Sequence, residues 1–407
     1  MAARRSLLYL ARDFPVPVSG AARLRTYNWI VHFTRHFDVT FVAATARPVD
    51  AIYLDALRPY CAAVHAVPLH PQSWWRRILA RVRAEARIIT HGVPPEAAYL
   101  QSGPAAQVLA GLARQRQFDV VFCERWTWGP QAVSAGAFSV LDAGAVQAPR
   151  ADDFLRRSRS PLRRILRPWI MPALARRESE MLESFGLVMT LSPADECAAA
   201  TLCGDGRTVS LPAGLDIQYF KPRRSLIDPS EIVFFSALQS PAQRDALLHL
   251  HRDIMPIVRE QLGEARLTVV DAAPTAEFED ALRGDPFLGF TGPLEDPRPE
   301  LWHAAVAAMP LRFGAGSAAH LAQLLALGIP VIVTPHAARG LGVRSGEGVL
   351  IADDGSEFAR LLAQVLGDSS LRDDLSRRGR ATAEARFSLA ATYDRWSALL
   401  AAGPVAH

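Results

Sequence analysis

Residues 305–334 run Ala305-Val306-Ala307-Ala308-Met309, then Pro310-Leu311-Arg312-Phe313-Gly314-Ala315-Gly316, then a helix-like stretch from Ala319 to Leu327, then Gly328-Ile329-Pro330-Val331-Ile332-Val333-Thr334. A short apolar run, a glycine-bearing loop, an apolar helix pattern and a second short apolar run make a strand–helix–strand unit with parallel strands. Such a loop lets backbone N–H groups approach phosphate oxygens at the positive end of a helix. The same residues also suit a tight strand-to-helix turn with no ligand, so from spacing alone both readings stand.

The alternation repeats on both sides of this unit. Upstream, the strand candidates are Ser6–Ala11, Val39–Ala43, Ala63–Pro68, Val120–Cys123, Val140–Leu141, Leu187–Leu191 and Thr208–Leu211. A helix from Arg23 to His36 follows the first, with Leu24, Tyr27, Trp29, Ile30 and Phe33 at helix-like spacing. Ser192-Pro193 reads as an N-cap and first-turn proline. A second series begins at Ile232–Ser236 and continues through Arg266–Val270, Phe287–Phe290, Ala305–Met309, Val331–Val333 and Val349–Ile351. Between the two series lies a polar, proline-bearing stretch from Lys221 to Ser230, and the chain closes with a helix-like stretch, Leu389–Leu400. The expected division is a first domain over 1–224, a second over 225–385, and a terminal helix over 386–403 that returns to the first. The expected fold class is α/β: two Rossmann-like domains with a cleft between them, ligands binding beyond the carboxyl ends of the strands.

Composition agrees. The chain has 407 residues, half of them hydrophobic, which suits two cores. Cys61, Cys123, Cys197 and Cys203 form no CxxC pair, which argues against a zinc site or disulfide framework and fits a reducing compartment. The amino-terminal apolar run is too short for a signal peptide, and no run reaches the length of a membrane span. The net charge of +4 rests on arginine, Lys221 being the one lysine, as a GC-rich genome explains. A phosphate site here therefore draws on Arg, His, hydroxyls, backbone N–H groups or helix ends.

Several stretches resemble glycosyltransferase family 4, especially the sugar transferases of exopolysaccharide gene clusters. They are Leu211-Pro212-Ala213-Gly214-Leu215-Asp216 with Phe220 and Pro222; the Pro310–Gly316 loop with Ala326-Leu327-Gly328-Ile329-Pro330-Val331; Arg339-Gly340-Leu341 with Gly348–Ala352; and Pro15–Gly20 with Arg23–Asn28. Their order spans nearly the whole chain. The resemblance implies a GT-B fold and transfer of a hexosyl group from a nucleotide-diphospho-sugar, with retention, to a glycan or lipid-linked acceptor. It implies polysaccharide or cell-envelope biosynthesis, a cytoplasmic location, and no metal or other cofactor. It places donor binding on Gly20, Ser236, Arg244, Asp271, Arg312, Gly314, Gly316, Ser317, His320 and Gln323, and acceptor-side or catalytic carboxylates at Asp142 and Glu124. Gly20 reads equally as a loop glycine with positive φ.

The chain also departs from the family pattern. Ala315 and Gln323 stand where active members carry two acids, and His320 where close relatives carry lysine. Ser236 replaces a glycine, Asp271 ends a strand that usually ends in glycine, and Gly144 lacks the acceptor-side group. Gln323 can still bond ribose hydroxyls, less strongly than a carboxylate does. An Asp near a diphosphate is unfavourable unless paired or turned to the sugar. These losses support an alternative: a catalytically silent GT-B protein acting as a binding or partner subunit. A GT-B epimerase is a third reading that no residue selects. The arginine–tryptophan stretches Trp74–Arg83 and Leu155–Ile170 read either as interfacial helices on anionic lipid, giving peripheral contact with the inner face of the plasma membrane, or as solvated helix faces. No nucleic-acid motif accompanies them, so nucleic acid is not expected as a partner.

Overall fold

The computed structural model describes residues 4–17, 20–45, 49–69, 95–144, 161–204, 206–223, 227–238, 240–274, 278, 280, 282, 284–314 and 318–401. Among the described residues there are thirteen strands, and each overlaps one of the apolar runs. The first seven are β1 (Arg5–Ala11), β2 (Phe37–Thr45), β3 (Ala63–Pro68), β4 (Phe118–Cys123), β5 (Gly136–Gly144), β6 (Leu187–Thr190) and β7 (Thr208–Ser210). The next six are β8 (Asp228–Phe235), β9 (Arg266–Val270), β10 (Leu288–Phe290), β11 (Ala304–Met309), β12 (Val331–Val333) and β13 (Val349–Ile351).

They form two parallel sheets, ordered β3-β2-β1-β4-β5-β6-β7 and β10-β9-β8-β11-β12-β13. Each order reverses once, between β1 and β4 in the first sheet and between β8 and β11 in the second. Such a switch point opens a crevice at the carboxyl edge, where open α/β sheets bind ligands. Strands covered by helices on both faces have no solvent side. Leu7 to Ala11 of β1 and Val331 to Val333 of β12 are accordingly fully buried.

The two cores differ in kind. In the first, Tyr9, Trp29, Phe33, Phe41 and Phe122 pack with ring centroids 5.0–5.8 Å apart. The second is mainly aliphatic, with Leu, Ile, Val and Ala from its central strands and from the helices Ala318–Ala326 and Gly355–Gly367, and Phe234, Phe235, Phe358 and Phe387 among them.

Two boundaries differ from the sequence reading. The first helix spans Gly20–Phe33, so Gly20 is its first residue and not part of the preceding loop. The chain divides into units at Leu211/Pro212, not at 224/225. The reason is backbone bonding. Arg380 donates to Ile217 O (3.2 Å), Phe220 O (2.5 Å) and Ala326 O (2.6 Å), and Leu215 exchanges backbone bonds with Phe387 and Leu389. The Pro212–Lys221 stretch is thereby tied to the helix Ser369–Phe387 of the second unit. The terminal helix, Leu389–Ala401, is shared: Trp396 groups with the second unit and Ser397 onward with the first.

No described helix is long and apolar enough to cross a membrane. Trp74–Arg83 lies outside the described residues, as do residues 155–160 of the second arginine–tryptophan stretch. Trp169, on the helix Pro161–Ser184, is 64% exposed, and Ile170 beside it is buried.

Candidate functional site

The carboxyl edge of the second sheet is built from the loops after β8 and β11. Ser240 caps the helix Pro241–His249: its Oγ accepts from Gln243 N–H (3.2 Å), and the Gln243 side chain accepts from Ser240 N–H (3.1 Å). Gly314 approaches this helix so closely that a Cβ on it would stand 2.7 Å from Ala242 Cβ. Its φ of +82° also calls for glycine. One turn on, Arg312 grips Asp245 with two bonds (3.0 and 2.6 Å). The two loops thus meet, as expected of loops that leave one parallel sheet on the same edge.

The candidate residues separate by what they already bond. Ser236 is buried and its Oγ accepts from Leu238 N–H (3.2 Å), which turns the backbone into a positive-φ residue at Leu238. Asp271 also has positive φ. Its Oδ1 accepts from Leu294 N–H (3.0 Å) and its own N–H donates to Thr291 Oγ1 (3.1 Å). Its carboxylate therefore orders the loop after β10. Arg312 has its charge offset by Asp245, and that hydrogen bond raises its pKa. His320 packs on the Phe235 ring at 4.5 Å, and burial lowers its pKa, the Asp271 charge opposing in part. It stands as a neutral ring at pH 7, not as a cation. Arg244 and Gln323, both half-buried, have no side-chain partner among the described residues. Gly316 and Ser317 lie outside the described residues.

Two groups that the sequence reading missed hold the Gly314 loop from the β12 side. Thr334 Oγ1 donates to Leu311 O, and His336 Nε2 lies 2.7 Å from Gly314 O. The signal was present, since Thr334-Pro335 is a cap followed by a first-turn proline that sends the next side chain to this edge.

The carboxylates of the first unit sit at the equivalent edge of their own sheet. Glu124 accepts from Tyr9 Oη (2.8 Å), Thr26 Oγ1 (2.5 Å) and Arg12 N–H (2.8 Å). Burial raises its pKa, and those hydrogen bonds pull the other way. Burial first, and then Glu124, raises Tyr9 well above the usual tyrosine value. Asp142 is 6% exposed and takes Arg25 Nε on one oxygen (2.9 Å), while Oδ1 has no hydrogen-bond partner among the described residues. Register shifts between Asp142 and Gly144, and Gly144 has positive φ. Glu124 is thus a tie between β1, the first helix and β4, and Asp142 is the acid with an oxygen to spare.

A cavity of about 270 Å³ lies at the amino ends of β8, β11 and β12, with Arg223, Trp302, Pro330 and Arg372 in its wall. It is on the opposite edge of the sheet from these groups. Among the described residues no cluster of His, Cys, Asp or Glu is placed to hold a metal ion.

Residues 229–368, which contain this whole second-sheet edge, match the family model described as Glycosyl transferases group 1. Solved structures match the chain along its length. Anabaena Alr3699/HepE in complex with UDP is 15% identical, with 98% of this chain and 100% of that chain covered and a TM-score of 0.61. This chain has the GT-B fold. Sucrose-phosphate synthase from Thermosynechococcus elongatus superimposes on the GT-B chain at 15% identity, 98% and 99% coverage and a TM-score of 0.65. WaaG, a glycosyltransferase involved in lipopolysaccharide biosynthesis, does so at 15% identity, 98% and 100% coverage and a TM-score of 0.60. No curated protein sequence matches the chain.

Proposed function

We propose that this GT-B protein is a family 4 type glycosyltransferase. It takes a hexosyl group from a nucleotide-diphospho-sugar and passes it, with retention, to a glycan or lipid-linked acceptor in polysaccharide or cell-envelope biosynthesis. The observation that carries the reading is Arg244: a guanidinium without a side-chain partner among the described residues, on the helix that Gly314 abuts, inside the stretch that matches group 1 glycosyltransferases. Similar chains support it, since HepE is described with UDP, with UDP and glucose, and with UDP-glucose.

In this reading Arg244 neutralises the diphosphate together with backbone N–H groups at the Gly314 loop, and Gln323 faces the ribose. No metal ion is required. Transfer in such a site depends on positioning the donor and stabilising the leaving diphosphate. Asp142, with its spare oxygen, is the acid we assign to the acceptor side. We place the protein in the cytoplasm, in peripheral contact with the inner face of the plasma membrane, a reading that the exposure of Trp169 supports. Calorimetry with UDP and UDP-glucose tests the donor site, and binding is the expected result.

A second reading, the silent binding subunit, has an observation in its favour. Arg312 is already paired and His320 is neutral, so the edge offers less positive charge than its residue types suggest. Absence of nucleotide binding by the wild type places this reading first.

A further inference from the structure

One ion pair of the first unit is bonded on one side only. Asp142 stands near the end of β5, and Arg25 reaches it from the first helix. Arg25 Nε donates to Oδ2 (2.9 Å), and Nη2 lies 2.9 Å from the same oxygen without the alignment of a hydrogen bond. An arginine that meets a carboxylate frequently gives one nitrogen to each oxygen. Here Oδ1 is left out. Oδ1, Nη1 and Nη2 are all shut away from solvent, and none has a hydrogen-bond partner among the described residues. The guanidinium is held in place by the Trp29 ring, one turn along the helix, whose centre lies 5.8 Å from its carbon.

A buried donor or acceptor left open is costly, and proteins leave few of them. Both kinds occur together on this one pair, and that defines what fits. The group must donate to Oδ1 and accept from the guanidinium. A hydroxyl oxygen does both, whereas an ionised phosphate or carboxylate oxygen only accepts. Charge points the same way. Asp142 offsets Arg25, and a second carboxylate stands next to the pair: Cys123 is in register with Leu141, so Glu124 and Asp142 follow side by side on neighbouring strands. An anion here would meet two acids and one guanidinium.

We propose that Arg25 and Asp142 together form a hydroxyl subsite for the acceptor, one that takes a neutral sugar in preference to a phosphate or a carboxylate. A sugar hydroxyl donates to Asp142 Oδ1 and accepts from the Arg25 guanidinium. The inference rests on the transferase reading above and deepens it, by naming the class of acceptor and adding Arg25 as a residue that selects it.

The test is saturation-transfer NMR on the full chain with the methyl glycosides of glucose, galactose and mannose, with glucuronic acid and glucose 6-phosphate as charged counterparts. At least one neutral glycoside should bind, and both charged sugars should bind more weakly than it does. The deciding variant joins Arg25→Met to Asp142→Leu, which removes both charges and so leaves no buried ion unpaired. It should melt near the wild-type temperature and lose about tenfold or more in affinity for that glycoside. Should this variant fail to fold, Asp142→Asn serves: its amide keeps an oxygen for Arg25 and puts a donor in place of Oδ1, and a loss of about fivefold or more is expected. Unchanged affinity in the variant measured gives the open groups to bound water alone and overturns the proposal. So does a wild type that binds none of the neutral glycosides, or one that takes a charged sugar more tightly. The donor site is judged separately, by calorimetry of the wild type with UDP: glycoside binding without UDP binding overturns the transferase reading and leaves the pair as a site for sugar hydroxyls.

Discussion

The carboxyl edges of the two sheets both carry polar side chains and use them differently. At the first, Glu124 is saturated by Tyr9, Thr26 and Arg12, and Asp142 is paired with Arg25. At the second, Ser236, Asp271 and Arg312 are occupied, while Arg244 and Gln323 have no side-chain partner among the described residues. A buried polar group must be bonded within the protein, because leaving it unmade is expensive. A group with some solvent access can wait for a ligand. Chemistry is thus to be sought among the groups a fold leaves unbonded, which shifts weight from Glu124 to Arg244.

The comparison breaks most visibly at Glu124. If it is a structural tie, Glu124→Ala leaves Tyr9, Thr26 and Arg12 donors without an acceptor. The expected loss is about 3 kcal/mol or more, a melting shift of roughly 6–12 °C for a unit of this size. Melting curves check it, and a protein that melts like wild type but loses only turnover would return Glu124 to the catalytic group.

Arg244→Ala should do the reverse. Stability should stay near wild type, and nucleotide binding should weaken by about 1.5–3 kcal/mol, the worth of a hydrogen bond to a charged group. Calorimetry with UDP decides this, and unchanged affinity would mean that the edge has another cation.

His320 sharpens the comparison through pH. Burial holds its folded-state pKa below the ordinary 6.5, so the unfolded chain takes up the proton first as pH falls. Its contribution is therefore complete above about pH 6.5 and declines as pH falls below it. His320→Gln should flatten the fall in melting temperature between pH 7 and 5. An unaltered slope would show that the ring is accessible to water and able to charge.

The smallest effect is expected at Gln323. Glu in its place restores a charged acceptor to a half-buried helix position, and UDP affinity should hold or rise by up to about fivefold if the side chain faces ribose hydroxyls. A loss on titration would turn Gln323 away from the sugar.

Much of this was legible from the chain alone. The thirteen strands among the described residues followed from short apolar runs, because a strand buried on both faces leaves little freedom in residue type. Gly314 was legible too, since a loop pressed onto Ala242 with positive φ excludes other side chains. Those are local constraints, and local constraints are written in local sequence. What only the tertiary structure decided was partnership. The Arg312–Asp245 pair joins residues 67 positions apart, the Tyr9–Glu124 bond joins residues 115 apart, and His336 reaches Gly314 across 22. Nothing in the identity of an Arg, Glu or His says whether its hydrogen bonds are already taken. The boundary at Pro212 was hidden for the same reason: proline and charge at 221–230 signal an exposed loop, but the Arg380 bonds that tie 217–220 to the second unit come from 160 residues away. Sequence determined the fold; the packed chain determined which polar groups meet at each edge and which of them remain unbonded, because bonding partners are chosen in space.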